Sequence, residues 1–222
     1  TLTPRPQLLS FILLLIVTSA WLGTARDLRP RWFLIPVSWL WACSHGMWFS
    51  GVAVGLVVVV GLILDHRVLP RLALKMLAIP VLSIVVAAAT PVGPKLLLAP
   101  LEVGGLTQYV TEWASPSIHQ LAPATTAVMF GVITLIWVKG RQIAWTHILL
   151  LLLGTSWALM YARTVTLGAA IAAPLLAAAL HSLLPRHTPR NTQPEVAALA
   201  GGVVACLFEF PQRDRVTRLG LL

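Results

Sequence analysis

An all-α, polytopic bundle of about seven to eight transmembrane helices is the fold class this sequence predicts, and three observations predict it. Of its 222 residues, 58 % are hydrophobic and 10 % charged, with mean hydropathy +0.85, whereas soluble domains carry about a quarter charged residues. Apolar runs close to the roughly 20 residues needed to cross a ~30 Å hydrocarbon layer as a helix recur along the chain. Lysine and arginine gather in alternate connections between those runs, the pattern that orients membrane helices. The net charge of +9 forms no basic stripe on a soluble face, so nucleic acid is not an expected partner.

Each element follows from its run. Residues 8–24 make the first span. Residues 30–44, "PRWFLIPVSWLWACS", are short and hold Pro36, and read either as a kinked, tilted span or as a partial one. Runs 47–64 and 74–90 come next, followed by the one long polar-tolerant stretch, 91–122. Runs 123–138, 143–161 and 164–184 complete the main bundle. The run 195–210 carries Gly201 and Gly202 and reads as a weak last span or an interfacial helix. Residues 1–190 are therefore expected to form the bundle, with a loop at 91–122, and 191–222 the weak last element and a tail. Thr1 enters "PRPQLLSF" with neither an initiator methionine nor the basic start of a signal peptide, which fits a piece of a longer protein.

Arg26, Arg29 and Arg31, then Arg67, Arg71 and Lys75, then Lys139 and Arg141, then Arg186 and Arg190 fall in alternate connections, ten of the sixteen basic residues. Those connections are expected to be cytoplasmic. The N-terminus, the "SHG" turn at 44–46, the 91–122 loop and the turn at Arg163 then face outward. Eight tryptophans lie near span ends, and Trp21, Trp32, Trp41, Trp48, Trp113, Trp137, Trp145 and Trp157 are expected to act mostly as interfacial anchors. Cys43 and Cys206 sit in apolar runs and are expected as free thiols.

The outward set contains the residues able to carry chemistry. Arg5, held between Pro4 and Pro6 just before a span, either snorkels to headgroups or contacts a phosphate. His45, beside Gly46 in a near-loopless turn, either serves that turn or donates to an anion. No second histidine or cysteine stands near it at metal-ligand spacing. In the long loop, Lys95, Glu102, Glu112 and His119 ionise. Glu112 beside Trp113 suits a sugar, the carboxylate accepting from hydroxyls and the indole stacking on the ring. Glu112 can also act as a general base or pair structurally with Lys95. Arg163, between two spans, offers a planar fork of donors to phosphate. Arg5, His45, Lys95 and Arg163 thus fall on one face, where charge bias gives no reason for them and an anionic ligand does.

The ordered blocks "RPQLLSF", "WACSHGMWFSGVAVG", "TPVGPKLLLAPL", "TEWASPS" and "MYARTVTLGAAIAAPLLA", which cover most of residues 4–180, resemble bacterial polytopic glycosyltransferases of the GT-C type. The resemblance implies transfer of a sugar from a polyprenyl-phosphate donor to an acceptor on the outer side of the bacterial cytoplasmic membrane. It implies substrate binding by Arg5, His45, Lys95, Trp113 and Arg163. Enzymes of this type keep a catalytic acid in the loop after their first span, which here falls upstream of Thr1; within this chain Glu112 is the candidate catalytic residue. The pattern has asparagine where Cys43 and Thr90 stand and an aromatic residue where Val92 stands, which leaves room for an altered substrate or lost activity. Glu102 and Glu112 are ten residues apart in a loop, so no divalent-metal site is indicated and metal use stays open.

Two other classes compete. A transporter or lipid flippase fits proline-broken spans (Pro36, Pro80, Pro174), although no internal repeat is visible. A non-catalytic subunit fits the small-residue faces "GAAIAAPLLAAA" and "ALAGG", which suit partner helices.

Overall fold

A computed structural model of the chain describes residues 6–98, 115–139 and 143–183. All of them belong to one compact unit, residues 1–184; a second unit, 185–222, which contains the expected 195–210 element, lies outside the described residues. Every regular element described is helical, in the order α1 Pro6–Asp27, α2 Leu34–Ser44, α3 Phe49–Leu64, α4 Pro70–Ala88, α5 Leu121–Lys139, α6 Trp145–Met160 and α7 Val165–Leu183. Single 3-10 turns precede α3 (Gly46–Trp48) and α7 (Ala162–Thr164), and a longer one, Gly93–Leu97, follows α4.

The bundle surface is as apolar as its interior. Ile12, Val60, Leu74, Val85, Val128, Leu135 and Leu159 are among many large hydrophobic side chains turned outward, a surface that water would not tolerate and lipid would. The inward polar groups are short hydroxyls. Thr24, Ser50 and Thr126 are buried and donate to carbonyls three or four residues earlier, to Ala20 at 3.1 Å, Met47 at 2.7 Å and Ala122 at 2.8 Å, which satisfies them inside their own helices.

Among the described residues five segments are long and apolar enough to cross a membrane: Leu8–Asp27, Gly46–Leu64, Pro70–Ala88, Leu121–Lys139 and Ala162–Leu183. Of the eight expected spans, 30–44 shrinks to the 11 residues of α2, about 16 Å at 1.5 Å per residue. It is a partial span, and Pro36 starts it: at the third helical position its missing N–H has no helical acceptor to lose. α6, with 16 residues, reaches about 24 Å.

Glycine sets the close approaches. A Cβ on Gly51 or Gly55 of α3 would meet Trp41 or Trp21 at 2.8 Å, so both indoles lie flat over bare backbone. Trp21, Trp41 and Trp48 are buried, at 2 %, 0 % and 4 % exposure. The expectation that Trp21 and Trp41 anchor the interface is therefore corrected: a ring that fills a glycine notch gains more by packing than by reaching headgroups. Trp32 and Trp145 do face outward. On α7, a Cβ at Gly168 would meet the Gly154 carbonyl at 2.6 Å and Ala158 Cβ at 2.7 Å. The small-residue face of α7 that suited a partner helix is thus occupied by α6 of this same chain.

Helix ends are built without glycine where glycine is usual. Leu28 and His66 take left-handed φ values of 56° and 52°. His66 is the turn residue of a Schellman closure, its N–H on Ile63 O (3.0 Å) and the Arg67 N–H on Leu62 O (3.1 Å), an arrangement that satisfies two terminal carbonyls of α3.

Candidate functional site

Helices α1 and α3 run parallel, Ser10 level with His45 and Trp21 with Gly55, so the start of α1 and the α2–α3 turn share one end of the bundle. There, Ser10 Oγ lies 2.9 Å from His45 Nδ1 and accepts the Trp41 indole N–H at 2.9 Å. His45 Nδ1 also accepts the Met47 N–H at 3.4 Å. An indole N–H and a backbone N–H can only donate. Nδ1 must then carry its lone pair, Ser10 must donate its hydroxyl hydrogen to it, and the ring proton of neutral His45 sits on Nε2.

Electrostatics agree. Burial, and after it the positive charge of Arg163, hold the His45 pKa below its ordinary value of 6.5. The same fact places Arg163 at this end, within reach of His45. Thr164 shapes the turn that carries Arg163: its Oγ accepts the Tyr161 N–H at 3.2 Å and donates to the Trp157 carbonyl. Trp48 keeps a buried indole N–H without an acceptor among the described residues.

Lys95 lies exposed in the 3-10 turn after α4. Gly93 ahead of it has φ +73°, so this turn requires glycine. The Trp39 indole N–H reaches Ala89 O at 3.5 Å, linking α2 to the end of α4. Arg5, Glu112 and Trp113, three of the expected sugar- and phosphate-binding residues, lie outside the described residues, as does Glu102. Of the expected site, the structure brings together His45 and Arg163.

Pro116, Ile118 and Phe130 on one side and Thr155, Ala158 and Leu159 on the other line an apolar recess of about 230 Å³ between the start of α5 and the end of α6. Leu159 is four residues before Arg163, so the recess opens at the same end. Its volume is below the usual range for a whole small-molecule site and suits a length of hydrocarbon chain.

Ser10 and Trp41 were not among the expected site residues. Both stand in the ordered blocks, yet a serine in an apolar helix gives no sign of an acceptor 35 positions away. Asp65, at the opposite end, was also missed. Its Oδ1 accepts the Trp145 N–H at 2.8 Å, and its Oδ2 accepts the Thr146 N–H at 3.5 Å and hydroxyl at 3.4 Å, so it caps α6 from 80 residues away. Among the described residues no three His, Cys, Asp or Glu side chains come together to hold a metal. Cys43 is a free, exposed thiol.

No family model, no curated protein and no solved structure matches this chain.

Proposed function

We propose that the chain is the membrane-embedded bundle of a GT-C-like glycosyltransferase, taking a polyprenyl-phosphate-linked sugar at the His45–Arg163 end and transferring the sugar on the outer side of a bacterial cytoplasmic membrane. The observation that carries the reading is the proximity of Arg163 to a neutral, oriented His45 at an end with no carboxylate among the described residues. A guanidinium fork and an imidazole N–H are donors of the kind that bind a phosphate and stabilise the charge it develops as a leaving group. The apolar recess beside the Arg163 turn matches the hydrocarbon part of the same lipid.

Deprotonation of the acceptor hydroxyl falls to a carboxylate in this reading, and Glu112, with Trp113 as the sugar-stacking residue, is the candidate for it. Arg5 and Lys95 remain further phosphate-binding candidates of this reading. Arg163→Ala is the test. Binding of a polyprenyl-phosphate analogue to the detergent-solubilised protein is expected to weaken roughly tenfold or more, as loss of a charge-assisted pair implies. Unaltered affinity removes Arg163 from the site.

A further inference from the structure

At the end opposite His45, the bundle collects positive charge that its own acids do not answer. Trp21 over Gly55 fixes α1 beside α3, which carries Arg26, in the last turn of α1, to the level of the last turns of α3. Asp65 pins the α3–α4 connection to the first turn of α6 through Trp145 and Thr146. A Cβ on Gly61 would meet the Thr146 Cα at 2.4 Å, so the two helices touch backbone to backbone here. Arg67, two residues after Asp65, and Arg26 are near enough to His147, two residues after Trp145, to act electrostatically on its ring, as Asp65 does with the opposite sign. Trp137 of α5 stands against that ring, centroids 5.7 Å apart.

The described residues include two carboxylates, and both are engaged. Asp27 pairs with Arg31 at 3.0 Å, and Asp65 caps α6. Arg26 and Arg67 have no ion pair or hydrogen bond from their guanidiniums among the described residues. Around them Ile63, Leu64 and Trp145 are exposed, at 47 %, 45 % and 48 %, giving the charged patch an apolar rim. Two arginine forks suit phosphate oxygens, and a hydrophobic rim at the end of a membrane helix suits acyl chains.

We infer that Arg26 and Arg67, with His147 beside them, hold the phosphodiester of an anionic phospholipid at the end of the bundle remote from His45. Asp65 takes no part in binding; it consumes the α6 N-terminal donors and so positions Arg67 without competing for the headgroup's place. The inference is independent of the sugar-transfer reading, which rests on His45 and Arg163 at the other end.

Native mass spectrometry of the full chain in detergent tests it. With phosphatidylglycerol, the wild type is expected to retain one lipid under conditions that strip phosphatidylcholine, and Arg26→Gln/Arg67→Gln to reduce retention roughly tenfold. The charge-matched Arg71→Gln/Lys75→Gln is expected to retain it. Equal retention of the two lipids by the wild type, displacement of phosphatidylglycerol by millimolar-scale inorganic phosphate, undiminished retention in the first variant or equal loss in the second each overturns the assignment. Equal retention of the two lipids by the wild type overturns the assignment even where a variant fails to fold.

Discussion

At the Asp65 end, a single carboxylate holds two helices together by taking up three donors of α6, while at the His45 end the same task falls to neutral groups, the Trp41–Ser10–His45 chain. The contrast is one of what remains for a ligand. A carboxylate spent on a helix terminus is a fixed part of the frame. A neutral histidine fixed through Nδ1 still has its Nε2–H to offer, and burial, with the arginine nearby, favours that neutral form. The two ends also differ in packing: Gly61 lies against the Thr146 backbone, whereas a Cβ on Gly46, in the His45 turn, would meet nothing within 4 Å.

The largest expected effect breaks the first region. Gly61→Ala forces the α3 and α6 backbones apart and should destabilise the protein by about 3 kcal/mol, the upper range for overpacking a core. Thermal unfolding in detergent measures it, with Gly46→Ala as the matched change expected to shift the midpoint negligibly. Equal effects at the two glycines would erase the distinction drawn between the ends.

A smaller effect sharpens the second region. Ser10→Ala leaves the buried Trp41 indole N–H without its acceptor and His45 Nδ1 without its main donor, a cost of about 1–3 kcal/mol. It should also alter pH dependence. Because the folded-state pKa of His45 lies below 6.5, the unfolded chain takes up a proton first as pH falls, so stability is full above about pH 6.5 and declines below it. His45→Gln should flatten that decline. An unchanged acid limb in His45→Gln would show that His45 is not held neutral by its surroundings.

Much of the fold was legible because lipid leaves a helix few alternatives: long apolar runs must become helices, and 47–64, 74–90, 123–138 and 164–184 did so within a few residues of their expected ends. α2 was ambiguous because an apolar, tryptophan-rich run with a proline reads alike as a span or a fragment; its helix begins only at Leu34 and stops at the His45 turn. The tryptophans misled for a related reason. An indole near a span end satisfies either the interface or a glycine notch on a neighbouring helix, and only packing distinguishes Trp21 and Trp41 from Trp32. His45 and Arg163 were legible as polar residues where the charge bias predicts none. Ser10 and Asp65 were not, since their partners stand 35 and 80 positions away and no local period links them.

The most direct measurement is photo-crosslinking of the full chain with a diazirine-bearing polyprenyl-phosphate analogue, followed by peptide mapping. Label is expected on the peptides that contain Ile118, Leu159 and Arg163, and to fall in Arg163→Ala. Label concentrated instead around Leu64 and Trp145, at the Asp65 end, would contradict the assignment of the substrate to the His45–Arg163 end.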